Sequence, residues 1–79
     1  MTKFKKEQLA TVTLNRGDIL RVVTGLELGA PCFRIEAKEA DKKGARWYFI
    51  GQEYKLEDCI AEMNRRAGEF NKRFATQGF

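Results

Sequence analysis

The side chains that most often carry acid–base and acyl-transfer chemistry are missing here: the chain has no histidine and no serine. Its serine-type nucleophiles are threonines, and no motif sets a base beside any of them. Cys32 and Cys59 lack a histidine partner. Gly25-Leu26-Glu27-Leu28-Gly29 has neither the spacing nor the following lysine of a phosphate loop. Glu57 and Asp58 are adjacent carboxylates, but they fall at a helix start, where capping and the helix dipole account for them. A non-enzymatic protein with no catalytic residue is therefore expected. No metal is expected, for want of histidine and of any C-x-x-C pair. Nothing calls for a small-molecule cofactor. Both cysteines lie in apolar stretches and read as reduced, buried thiols.

What the chain does carry is cations interleaved with aromatics. Fifteen basic against eleven acidic residues give a net charge of +4, which permits a polyanionic partner without demanding one. Arg21, Arg34, Lys38, Arg46 and Tyr48 share the strand parity of an uncovered sheet face, with Glu36 the acid among them. Such a face suits neutralisation of a phosphate backbone and stacking of bases. Lys42 and Lys43 at a hairpin tip, and Lys3, Lys5 and Lys6 near the start, would extend it. The competing reading is an ordinary solvated face, because exposed strand positions are often charged. A second set lies toward the C-terminus. Arg66 borders an apolar helical stripe, Arg65 points outward, and Phe70, Phe74 and Phe79 offer aromatic surface. These five are candidates for a protein interface or a dimer contact.

Strands and one helix must position these residues. Residues 9–14, with Thr11-Val12-Thr13-Leu14, form a β-branched strand. Asn15-Arg16-Gly17-Asp18 is a turn. Residues 19–24 form a second strand with apolar content on both faces. Residues 25–31 read as a loop broken by Gly25, Gly29 and Pro31, its Leu26 and Leu28 tucked back on the core. Residues 32–40 are the clearest strand, with Phe33, Ile35 and Ala37 alternating against Arg34, Glu36 and Lys38. Asp41-Lys42-Lys43-Gly44 connects it to a partner strand over 45–51. There Trp47 and Phe49 are placed inside, opposite Phe33 and Ile35. Tyr48 and Ile50 are apolar too, so the reverse assignment stays open.

The helix is expected over 55–76. Leu56, Ile60, Met63, Ala67, Phe70 and Phe74 recur at three- and four-residue steps. Gly68 inside it costs about 1 kcal/mol relative to alanine, and either allows close approach to the sheet or marks a bend. A helix of about 20 residues spans about 30 Å. Strands of five or six residues cover less than about 20 Å, so the last turns should overhang the sheet.

The 79 residues make one small domain, with 1–8 a basic arm or an edge strand. The fold class is α+β: an antiparallel meander of three to four strands on one C-terminal amphipathic helix. So small a core favours a homodimer, through the helix or an edge strand. No signal peptide or membrane span is read, which points to the cytoplasm. Strands followed by one long helix make an element order similar to that of the PUR repeats and the coactivator-type single-strand binders. The resemblance implies single-strand binding; no diagnostic motif of either family accompanies it. The expected function is nucleic-acid binding, single-stranded or backbone-directed. The alternative is a small interaction module, an inhibitor or accessory subunit of phage or mobile-element type, acting on a larger host complex.

Overall fold

A computed structural model describes residues 6–40 and 43–77, the side chains of 74–77 excepted. The elements are β1 (Gln8–Thr13), β2 (Ile19–Glu27), β3 (Ala30–Lys38), β4 (Tyr48–Glu53) and α1 (Leu56–Gln77). The strands form one antiparallel sheet in the order β1-β2-β3-β4, with α1 packed on one face, so the α+β meander is the fold. Among the described residues no helix is long and apolar enough to cross a membrane.

The first turn closes as its residues require. Leu14 N–H donates to Asp18 O at 2.7 Å, and Gly17 takes a φ of 102°, a region open to glycine. The buried Asp18 carboxylate accepts from Arg16 Nη2 at 2.6 Å and from Ala40 N–H at 3.0 Å. It thereby ties the start of β2 to the residue just beyond β3.

The second connection departs from expectation. Residues 25–31 are not a loop: β2 and β3 continue, pairing Gly25 with Cys32, Leu26 with Pro31 and Glu27 with Ala30. Only Leu28 and Gly29 turn, both at positive φ, 51° and 81°. Two successive positive φ values give the turn whose twist matches that of the flanking strands, which is why so short a connection suffices. Leu26 and Leu28 do not tuck back; both are exposed, Leu28 completely.

The extension brings the two strands close to the length of the helix. Nine residues at about 3.3 Å each give β2 and β3 about 30 Å, against about 33 Å for the 22 residues of α1. β2 and β3 are thus longer than the five or six residues expected, but Asn71 already lies at the first turn, so the residues of α1 after it run past the end of the sheet as expected. Cys59, Met63 and Ala67 are buried against Leu14, Leu20, Val22, Ile35 and Ala37, with Ile60 and Phe70 packed around them. Asn71 Oδ1 accepts from Asn15 N–H at 2.8 Å, fixing the second half of α1 over the first turn. Gly68 is exposed and a Cβ there would meet nothing within 4 Å, so it does not serve close approach to the sheet. Both thiols are buried and unpaired with each other, and burial pushes that of Cys59 up to about 11.

Candidate nucleic-acid interface

Directly opposed residues of an antiparallel pair share a face. Val22 opposite Ile35 and Leu20 opposite Ala37 belong to the core and mark the helix side. Arg21 opposite Glu36, Val23 opposite Arg34 and Ile19 opposite Lys38 therefore mark the helix-free side. Arg21, Arg34 and Lys38 do share this face, as their parity requires.

A bulge decides where the β4 aromatics go. Ile35 pairs with Gly51, but the next residue, Glu36, pairs with Phe49, so Ile50 is an extra residue in β4. Were Ile50 paired regularly with Glu36, Phe49 would oppose Ala37, inside. With the bulge Phe49 joins Glu36 on the helix-free face, 56% exposed, and Tyr48 takes the place opposite Ala37. The placement of Trp47 and Phe49 inside and Tyr48 outside is thus reversed. Tyr48 lines a cleft with Leu20, Ala37 and Phe70 on the helix side. Trp47, just before β4, lies 3.8 Å from the Arg21 guanidinium and 5.8 Å from Lys38 Nζ. Trp47 and Phe49 are the site residues that sequence reasoning missed. The sequence signal was Gly51, since a glycine within a strand pattern often accompanies a bulge.

The cations of this face differ in how they are held. Arg21 donates from Nε and Nη2 to Glu36 Oε1, at 2.9 and 2.7 Å, and its side chain is only 17% exposed. Lys6 donates to Glu36 Oε2 at 2.7 Å. One carboxylate thus faces two cations, which leaves a surplus positive charge. Burial pushes the Glu36 carboxyl up, but the hydrogen bonds and charges of Lys6 and Arg21 outweigh it and hold it below the ordinary range. Arg34 has no carboxylate partner among the described residues; it donates from Nη2 to Leu26 O at 3.3 Å and lies 5.6 Å from the Phe49 ring. Lys38 likewise has no carboxylate partner among the described residues.

The remaining candidates are scattered. Arg46 and Lys43 are exposed in the β3–β4 connection, where Arg46 shares a shallow cleft with Glu39 and Tyr48. Lys42 lies outside the described residues, as do Lys3, Lys5, Phe79 and the side chain of Phe74. Lys6 and Glu7 are described, and they run beside β2 through Thr24 N–H to Glu7 O and Glu7 N–H to Thr24 Oγ1. Arg65 points outward and Arg66 borders the core stripe, as expected, but both are ion-paired to Glu62, and Arg65 also to Glu69. The hydrogen bonds of Arg65 and Arg66 hold the Glu62 carboxyl down to about 2. Phe70 is half-buried against the core.

No family model, no curated protein and no solved structure matches this chain.

Proposed function

We propose that this protein binds nucleic acid without catalysis, across the helix-free face of its sheet, with a preference for single strands. The observation that carries the reading is Phe49: an exposed aromatic ring beside Arg34, on a face that also holds Lys38, Arg21 and Trp47. An unpaired base has an open π-face to stack on such a ring, worth about 1–3 kcal/mol per base. Arg34 and Lys38 supply positive charge for the phosphates alongside. A duplex keeps its bases stacked on one another, so the aromatic half of the surface has less to offer it.

Trp47 is the single tryptophan and a built-in probe. Titration with single- and double-stranded DNA and RNA at two salt concentrations should change its fluorescence, most strongly with single strands and at low salt. Phe49→Ala should weaken binding by about 5- to 160-fold, the range set by one stacked base. Arg34→Ala and Lys38→Ala together should weaken it further. No binding at low salt, or equal affinity in all variants, overturns the reading.

One observation favours the alternative, a protein-interaction module: Leu28 is an apolar side chain fully exposed at a hairpin tip, in a conformation leucine rarely adopts. Binding that depends on Leu28 and survives nuclease treatment would favour that alternative.

A further inference from the structure

A cleft of about 220 Å³ opens at one end of the helix-free face, lined by Lys6, Thr24, Gly25, Leu26 and Arg34. We infer that this cleft is a phosphate subsite, taking a phosphodiester of the nucleic-acid backbone whose base stacks on Phe49. The inference rests on the nucleic-acid reading above for the identity of the ligand. The case for an oxyanion comes from the cleft itself.

Size is the first requirement. A water molecule's share of liquid is about 30 Å³, so a cleft several times larger admits a tetrahedral oxyanion.

Charge is the second. Lys6 and Arg21 together face one carboxylate, Glu36, and Arg34 adds a cation with no carboxylate partner among the described residues. These four residues carry a balance of two positive charges; the nearby acids are Glu7, next to Lys6, and Glu27, whose carboxylate is held by Gln52 and Tyr54. A lysine ammonium has three donors and Lys6 gives one to Glu36.

The third requirement is that the cations be held in place. The two backbone-directed hydrogen bonds between Glu7 and Thr24 fix the chain immediately after Lys6. Arg34 lies flat across Gly25. A Cβ on residue 25 would stand 2.9 Å from Arg34 Nε and 3.0 Å from both Cδ and Cγ, so the absence of a side chain there makes this position available. In that position Arg34 Nε is buried and has no hydrogen-bond partner among the described residues. Its contact with Gly25 fixes the plane of the guanidinium. With Nε closed against Gly25, the Nη groups are the donors that Arg34 presents to an oxyanion oxygen in the cleft.

Phe49 ties the subsite to the stacking surface. Its ring centre lies 5.6 Å from the Arg34 guanidinium carbon, so one nucleotide can meet both.

The test is the salt dependence of oligothymidylate binding by the full chain and four variants. Each phosphate contact on a single strand contributes about 0.7 to the slope of log affinity against log salt. Arg34→Ala and Lys6→Ala should each lower that slope by about 0.7 and weaken binding at low salt at least fivefold. Phe49→Ala should lose affinity with its slope unchanged. Gly25→Ala keeps every charge but displaces Arg34, and should behave like Arg34→Ala; it also stands in if that variant fails to fold. Wild-type slopes in Arg34→Ala, Lys6→Ala and Gly25→Ala would overturn the subsite while leaving nucleic-acid binding intact. If the wild-type protein binds no oligonucleotide, the broader reading fails and inorganic phosphate decides the cleft. Saturable amide shifts at Thr24, Gly25 and Leu26 that vanish in Gly25→Ala would support an oxyanion site for free phosphate. Their absence would overturn the site altogether.

Discussion

The guanidinium of Arg21 lies 3.8 Å from the centre of the Trp47 ring while its N–H groups hold Glu36. One arginine thus bridges an aromatic side chain outside the regular strands to a buried carboxylate within them. Arg21→Ala leaves Glu36 with Lys6 alone and uncovers the indole. Stability should fall by about 1–3 kcal/mol, the range for a charged hydrogen bond broken at a shielded site. Arg21→Lys should recover part of this, keeping the charge but losing the planar double contact. Denaturant unfolding followed by Trp47 fluorescence measures both. A loss below about 0.5 kcal/mol in Arg21→Ala would show the bridge to be structurally idle.

Leu28→Asn should stabilise the fold by about 0.5–1 kcal/mol. Leu28 holds a φ of 51° with its side chain wholly in solvent, so it gains no packing to offset the strain. Asn-Gly is the dipeptide this two-residue turn prefers. Thermal melting is the measurement. A lower melting temperature would mean that Leu28 has a contact on which the fold depends.

Gly68→Ala should raise stability by up to about 1 kcal/mol. The position is exposed in the interior of α1, with room for a methyl group on every side. Helical circular dichroism during urea unfolding would show the shift in midpoint. No change, or a loss, would mean that the helix needs its glycine.

Acid should weaken the fold. At Asp18 and Glu36 burial raises the carboxyl pKa, but hydrogen bonds and positive neighbours overcome it, leaving both below their ordinary values of 3.8 and 4.5. Such groups bind fewer protons folded than unfolded, so their contribution is present above the ordinary value and disappears as pH falls through the folded one. Urea midpoints should therefore drop steadily below about pH 5. Glu36→Gln should start lower at pH 7 and fall less steeply. Parallel profiles for the two proteins would remove Glu36 from the explanation.

Both thiols should be slow to react. Cys32 and Cys59 are buried, and burial holds the Cys59 thiol near 11, far from the thiolate form at pH 8. A thiol-reactive chromophore should label neither quickly in buffer and both at once in guanidinium. Rapid labelling of Cys59 in the folded protein would contradict its place in the core.

The meander and the helix were legible because their signals are local. Phe33, Ile35 and Ala37 alternate with charge, and Ile60, Met63, Ala67 and Phe70 repeat at helical spacing, although the buried stripe begins at Cys59 and leaves Leu56 exposed. The long β2–β3 hairpin was not, because Gly25 and Pro31 are breakers by type and yet pair within the strands once a two-residue turn is in place. The site was half legible. Arg21, Arg34 and Lys38 came out on one face from parity alone. Tyr48 came out on the wrong one, because parity counts residues and the bulge at Ile50 changes the count. The partnership of Arg34 with Gly25 leaves no trace in spacing, since it depends on which residues the β2–β3 register sets opposite one another.

Ile50 separates Gly51 from Phe49 without an opposite number in β3. Loss of that one codon would leave Gly51 opposite Ile35, Phe49 opposite Glu36 and Tyr48 opposite Ala37 in regular pairing, so the aromatic surface would outlast the bulge, with no change in charge.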